Sequence, residues 1–267
     1  MIAHRDHQAA EEPRPSFLAA AIGNTMTRLA CMDEASIVLR REVRTEDAQA
    51  LRNSLAELRD QFAGTAPAVV ASVVPVALRR LRLLCAELSI RPVLAIGDEI
   101  ALPIHVALEH PEKVGVDRIC CAAAAYARSR AAAVVADFGT ALTVDLVADD
   151  GAFMGGTILP GLQLAARALG EHTALLPLVE VKLPGEVVGR DTEAAIRAGV
   201  FYGLVGALRE ITERIATLLG KWPTLIITGG DASAIAAAGG FVDVVAPDLI
   251  FEGIAFAYAR HVRRADA

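Results

Sequence analysis

Apolar and polar positions along the chain fall into short runs whose period alternates between that of a strand and that of a helix. Apolar stretches at Phe17–Gly23 and Met26–Met32 flank a break at Gly23-Asn24-Thr25, and a third run covers Ala35–Arg40, a pattern that predicts a hairpin meander. Leu51, Leu55, Leu58 and Phe62 then recur at i, i+4, i+7 and i+11, the spacing of an amphipathic helix that covers one sheet face. The runs Ala68–Ser72 and Val93–Ile96 predict strands, and Val76–Leu88, opened by Pro75, predicts the helix between them. Alternation of this kind lays helices on a mixed sheet.

The second half repeats the opening. Ala136–Val147 (ADFGTALTVDLV) can be laid on Ala20–Cys31 (AAIGNTMTRLAC), with Gly139 on Gly23, Thr140 on Asn24, Thr143 on Thr27 and Asp137 on Ala21. Gly151–Thr157 predicts a third strand, Leu162–Leu169 a helix, and Thr224–Ile227 and Phe241–Val245 strands with a helix between them. Residues 1–16 are expected to form a disordered tail, 17–130 an N-terminal lobe and 131–267 a C-terminal lobe, with a cleft between the lobes. A duplicated α/β unit with a glycine-turn hairpin opening each half resembles the actin-like ATPase and sugar-kinase superfamily. That resemblance implies a duplicated ribonuclease-H-like fold around a nucleotide cleft.

Composition narrows the partners. The 267 residues are 54% hydrophobic, yet the apolar run Ile119–Ala127 is closed by Arg118 and Arg128, and no segment reaches the ~20 residues of a membrane span. A net charge of -6 leaves no electrostatic footprint for nucleic acid, and 4% aromatic content leaves few platforms for stacked bases. A small-molecule ligand is the remaining expectation. The four cysteines show no metal-ligand spacing and suit a reducing, cytoplasmic setting. The segment MIAHRDHQAAEEPRPS lacks the apolar core of a signal peptide, and its His4 and His7 are expected to be solvated.

Candidate chemistry collects at the glycine turns. Asp137 ends an apolar run in which an unpaired buried carboxylate would be costly, so it is expected to face a cation or water. Gly139 lets backbone approach a ligand, and Thr140 adds a hydroxyl, although an Asp-x-Gly-Thr turn is also ordinary hairpin chemistry. Gly155-Gly156 with Pro160-Gly161, and Thr228-Gly229-Gly230, each join a strand to a helix whose N-terminus can receive an anion. Gly115-Val116-Asp117-Arg118 sets an acid beside a base at a helix start. The plain alternative there is a helix cap with a surface arginine; the chemical one is a general base beside a donor fork for a carboxylate or phosphate.

Taken in order, Ile22-Gly23-Asn24-Thr25, Ser72-Val73-Val74-Pro75, Gly115-Val116-Asp117-Arg118, Asp137-Phe138-Gly139-Thr140-Ala141, Gly155-Gly156 with Pro160-Gly161, and Thr228-Gly229-Gly230 resemble the type III pantothenate kinases over nearly the whole chain. The resemblance implies transfer of the γ-phosphate of ATP to the primary hydroxyl of pantothenate, giving 4′-phosphopantothenate, the first step toward coenzyme A. It further implies a homodimer that needs Mg²⁺ and a monovalent cation, K⁺ or NH₄⁺. By the same resemblance Asp117 is the catalytic base, and Gly115, Val116, Asp117, Arg118 and Thr192 contact pantothenate. Gly23, Asn24, Thr25, Gly139, Thr140, Gly229 and Gly230 contact ATP, and Asp137 holds the monovalent cation.

Two positions depart from that pattern. The family's opening motif is Asp-x-Gly-Asn-Thr, and its first position here is Ala21, which cannot hold a hydrated Mg²⁺ on the triphosphate. Restoring an aspartate there is expected to improve turnover. Leu108 also stands where the family often has an aromatic. The alternative function is a catalytically impaired homologue that binds nucleotide or pantothenate and regulates. A third, interaction-only reading makes the alanine-rich stretch Ala122–Ala127 a partner surface.

Overall fold

The structure, a computed structural model, describes residues 16–265. Of the expected tail only Ser16 lies within them, its backbone N–H and hydroxyl donating to the Met32 carbonyl at 2.6 and 3.2 Å; His4 and His7 lie outside the described residues.

Two five-stranded sheets carry the same strand order. In the first, β1 (Phe17–Ile22), β2 (Met26–Asp33), β3 (Ser36–Arg44), β4 (Ala68–Ser72) and β5 (Val93–Ala95) lie in the order β3-β2-β1-β4-β5. In the second, β6 (Ala133–Phe138), β7 (Ala141–Val147), β8 (Phe153–Pro160), β9 (Thr224–Thr228) and β10 (Val244–Val245) run β8-β7-β6-β9-β10. Each half therefore opens with an antiparallel meander and then adds parallel strands beside its first strand. Helices α1 (Ala48–Arg59), α2 (Pro75–Glu87), α3 (Val116–Ser129), α4 (Leu162–His172), α5 (Thr192–Leu219), α6 (Ala232–Gly239) and α7 (Leu249–Ala265) complete the chain.

Why β1 is an unbroken apolar run follows from its place. All six of its residues are buried because both faces of this central strand are covered. Leu18, Ala20 and Ile22 pack toward α1 and α2 with Leu55, Leu81 and Cys85, whereas Phe17, Ala19 and Ala21 face a second core formed with α3 and α7. The edge strand β3 instead alternates between exposed and half-buried positions. The strand β6 repeats the logic of β1, sending Val134, Ala136 and Phe138 to one core and Ala133 and Val135 to the core shared with α3 and α7. That shared core joins the lobes.

The chain's last helix was absent from the sequence expectation. It returns to the first sheet, packing on β1, β4 and α3. Gly253 of α7 approaches α3 so closely that a Cβ there would run into the Cys120 carbonyl. This crossing uses the small residues of α3, and Ala122–Ala125 are buried inside the protein, so the stretch is not the external partner surface considered above.

A second correction concerns the repeat. Ile22 pairs with Thr27 and Phe138 with Leu142, so the first hairpin has one more residue in its turn than the second. Gly139 and Asp137 keep their expected partners Gly23 and Ala21. Beyond the turn, however, Thr143 stands opposite Asp137 where Arg28 stands opposite Ala21, so Thr143 corresponds to Arg28 and not to Thr27.

Candidate active site

At the carboxyl ends of the parallel strands β1 and β4 sit the turn Gly23–Met26 and the segment Ser72–Pro75, joined where the Val73 N–H donates to Ile22 (3.1 Å). At the carboxyl ends of β6 and β9 sit Gly139-Thr140 and Gly229-Gly230. This is the edge at which open α/β sheets bind ligands. The two hairpins meet across the cleft, with the Thr25 and Thr140 hydroxyls 2.8 Å apart and Asn24 exposed at its tip. Thr45 braces the first turn, donating from its hydroxyl to Gly23 (2.8 Å) and from its amide to Thr25 (2.9 Å).

Asp137 lies one residue before the end of β6, as its sequence position suggested. Its Oδ1 is shielded from solvent and has no hydrogen-bond partner among the described residues. Gly229, at φ +96°, closes over it: a Cβ there would stand 2.5 Å from that oxygen, in a backbone conformation that other residues rarely adopt. Burial pushes the carboxyl up to about 6, with the Arg28 charge opposing the rise and the negative charges of Asp117 and Asp145 adding to it. An orphaned carboxylate oxygen in a backbone cradle fits a cation. Among the described residues no group of three or more His, Cys, Asp or Glu could hold a metal ion, so Asp137 is not part of a side-chain metal cluster. The equivalent point on the first hairpin is the Ala21 methyl, which does not fit a metal.

Asp117 and Arg118 begin α3. The helix cap is Gly115, and the Asp117 side chain folds back over it: a Cβ on Gly115 would stand 2.5 Å from Asp117 Oδ1 and 3.4 Å from Val73. That oxygen accepts the Arg118 N–H at 2.8 Å. Burial raises the Asp117 pKa, against the lowering effects of that N–H and the Arg118 charge. Arg118 is not the surface arginine of the plain reading. Its side chain is 17% exposed, lies 5.5 Å from the centre of the Phe153 ring, and forks onto Asp145, with Nε at 3.0 and 3.2 Å from the two carboxylate oxygens and Nη2 on Oδ1. Nη1 takes no part in this pair.

Two residues of the cleft were missed from the sequence. Asp145, 2% exposed, sits over Gly156, its cross-strand neighbour, where a Cβ would clash with the carboxylate. The available signal was a carboxylate inside the apolar run LTVDLV, which demands a buried cationic partner. Arg28, the only basic residue of β2, was the other; its signal was the same anomaly of opposite sign.

Thr192 stands apart from these groups. It opens α5, but Asp191 caps that helix by accepting the Ala194 N–H at 2.8 Å, so the Thr192 hydroxyl is not used as a cap. It lines an apolar hollow of about 460 Å³ with Leu169, Leu176, Ile196 and Val200, a lining that includes neither Asp117 nor Arg118.

Comparison with known proteins bears on the fold and the family. Solved structures of similar fold include MreB5 of Spiroplasma citri bound to ADP (TM-score 0.54, 11% identity, 96% of this chain and 99% of that one). Another is the ethanolamine utilization protein EutJ from Carboxydothermus hydrogenoformans (TM-score 0.53, 13% identity, 92% and 90%). At such identities they establish the actin-like fold alone. Curated relatives are nearer: the type III pantothenate kinase of Anaeromyxobacter sp. (strain K) is 36% identical over 254 residues, 92% of this chain and 99% of that protein. The type III pantothenate kinase of Syntrophotalea carbinolica is 39% identical over 193 residues, covering 72% and 76%. A family model described as type III pantothenate kinase matches residues 17–214, which take in both hairpins, the Asp117-Arg118 pair and Asp145, and the chain therefore belongs to the type III pantothenate kinase family.

Proposed function

We propose that this protein transfers the γ-phosphate of ATP to the primary hydroxyl of pantothenate, with Asp117 as the base. The observation that carries this reading is a half-buried carboxylate of raised pKa, held over Gly115 beside a cleft edged by two touching glycine hairpins. The hydroxyl oxygen attacks the γ-phosphorus, its proton passes to Asp117, and the bond to the β-phosphate bridging oxygen breaks to release ADP. Arg118, held rigid by Asp145, turns Nη1 toward the pantothenate carboxylate, and Gly115 and Val116 form the wall beside it. Gly23, Asn24, Thr25, Gly139, Thr140, Gly229 and Gly230 cradle the nucleotide.

Membership of this family implies ATP with a divalent metal, which neutralises charge on the transferring phosphate. Asp137 holds the monovalent cation, K⁺ or NH₄⁺, a role supported by its unpartnered oxygen. A homodimer is supported by exposed apolar side chains on the edge strand β8 and the segment after α4, among them Ile158, Leu175, Leu178 and Val188. The second subunit covers this face and the hollow at Thr192, which brings Thr192 to pantothenate. No helix among the described residues is long and apolar enough to cross a membrane; with four buried, unbridged thiols this supports a cytoplasmic setting.

A coupled assay of ADP release tests the reading. Turnover is expected to require pantothenate, to be faster in K⁺ or NH₄⁺ than in Na⁺, and to fall by about 10²–10⁴ with Asp117→Ala. Nucleotide binding without pantothenate-dependent turnover in any of these cations would replace it with the regulatory alternative.

A further inference from the structure

Antiparallel pairing sets Arg28 directly across from Ala21 on one side and from Glu42 on the other, so the three side chains share a face. In the second hairpin the equivalent pair is Asp137 and Thr143. The two hairpins thus offer opposite chemistry to the cleft: a carboxylate across from a hydroxyl in one, a guanidinium across from a methyl in the other. The Arg28 charge is felt at Asp137 in the opposite lobe.

Arg28 is held loosely. Its Nε donates to the half-exposed Glu42 at 3.3 Å, and neither terminal nitrogen has a hydrogen-bond partner among the described residues. Neighbouring arginines are committed elsewhere: Arg40 pairs with Asp248 at 2.8 Å, and Arg41 forks onto Glu57. Arg28, Arg40 and Glu42 share a face and line a hollow of about 430 Å³, closed from the other lobe by Gly229, Gly230, Pro247 and Asp248, a size usual for small-ligand sites. An aspartate at position 21 would lie one cross-strand spacing from Arg28 and capture it as an ion pair. Alanine leaves the guanidinium for a ligand.

We propose that Arg28 binds the phosphate chain of the nucleotide directly, supplying at the first hairpin the positive charge that a carboxylate-held divalent ion would otherwise bring. This rests on the kinase reading above and deepens it, because phosphate recognition passes from a metal to a side chain whose planar fork suits phosphate oxygens. Nucleotide affinity then depends little on Mg²⁺. Ala21→Asp, expected from the motif comparison to improve turnover, instead weakens ATP binding while Arg28 is present.

Calorimetric titration of the full chain with ATP and with adenosine, in Mg²⁺ and in EDTA, tests this. Wild-type affinity for ATP should agree within about threefold between the two buffers. Arg28→Ala should weaken ATP by about 10- to 100-fold and leave adenosine unchanged, Arg28→Lys should keep part of the affinity, and Ala21→Asp should weaken ATP in EDTA. Arg28→Gln, nearer in length, decides the matter if Arg28→Ala does not fold. Wild-type protein that loses ATP in EDTA, or Arg28 variants that bind ATP as wild type does, would overturn the inference alone. Wild-type protein that binds neither ATP nor adenosine would overturn the kinase reading with it.

Discussion

Replacing Asp137 by asparagine should stabilise the free protein at neutral and alkaline pH. In the folded chain burial carries this carboxyl from its ordinary 3.8 to about 6, despite the opposing charge of Arg28. At 1.36 kcal/mol per decade the displacement means that ionised Asp137 costs the folded state about 3 kcal/mol relative to the unfolded chain. The sign follows from proton binding. On acidification the folded protein takes up this proton near pH 6 and the unfolded chain only near 3.8, so this group's contribution is favourable at low pH and is lost as pH rises through about 6. Urea unfolding in tetramethylammonium chloride, which holds no small monovalent cation, measures the difference. Asp137→Asn should be more stable than wild type by up to about 3 kcal/mol at pH 8, with the gap closing toward pH 4. Adding K⁺ or NH₄⁺ at pH 8 should then stabilise wild type alone. A variant less stable than wild type at pH 8 without these cations would refute the argument, because Asp137 would then be satisfied by protein groups.

Two further outcomes follow from buried contacts. Asp145→Ala leaves the Arg118 guanidinium without its partner in a largely buried site and should cost about 3–5 kcal/mol, read as a fall in melting temperature of roughly 10 °C. Gly253→Ala drives a methyl into the Cys120 carbonyl and should cost about 1–3 kcal/mol by prying α7 from α3; a melting curve unchanged from wild type would show that the two helices can separate without loss.

How far the sequence reached can be judged from particular residues. Ala68–Ser72 was bounded correctly because its apolar run is flanked by breakers, whereas α1 stops at Arg59 with Phe62 beyond it, because a helical period does not show where hydrogen bonding ends. The last helix escaped notice because its apolar face packs against α3, β1 and β4, which are distant in the chain. At the site, Asp137 was anticipated from the cost of leaving a carboxylate in an apolar strand, and the structure places it in a backbone cradle with one oxygen unpaired. Asp145 obeyed the same reasoning and was passed over; its partner lies 27 residues earlier, on another element.

By itself, then, the order of residues determined most of the elements, the duplication, and which turns carry the small and acidic groups of a kinase. Period, glycine placement and side-chain charge act between near neighbours and are written along the chain. Only the tertiary structure decided the one-residue difference between the hairpin turns, which sets Arg28 against Ala21, and the pairing of Arg118 with Asp145. It likewise decided the burial of the alanine-rich face of α3 under α7. Those outcomes depend on packing and electrostatics between segments far apart in sequence, where one extra turn residue changes which side chain faces the cleft.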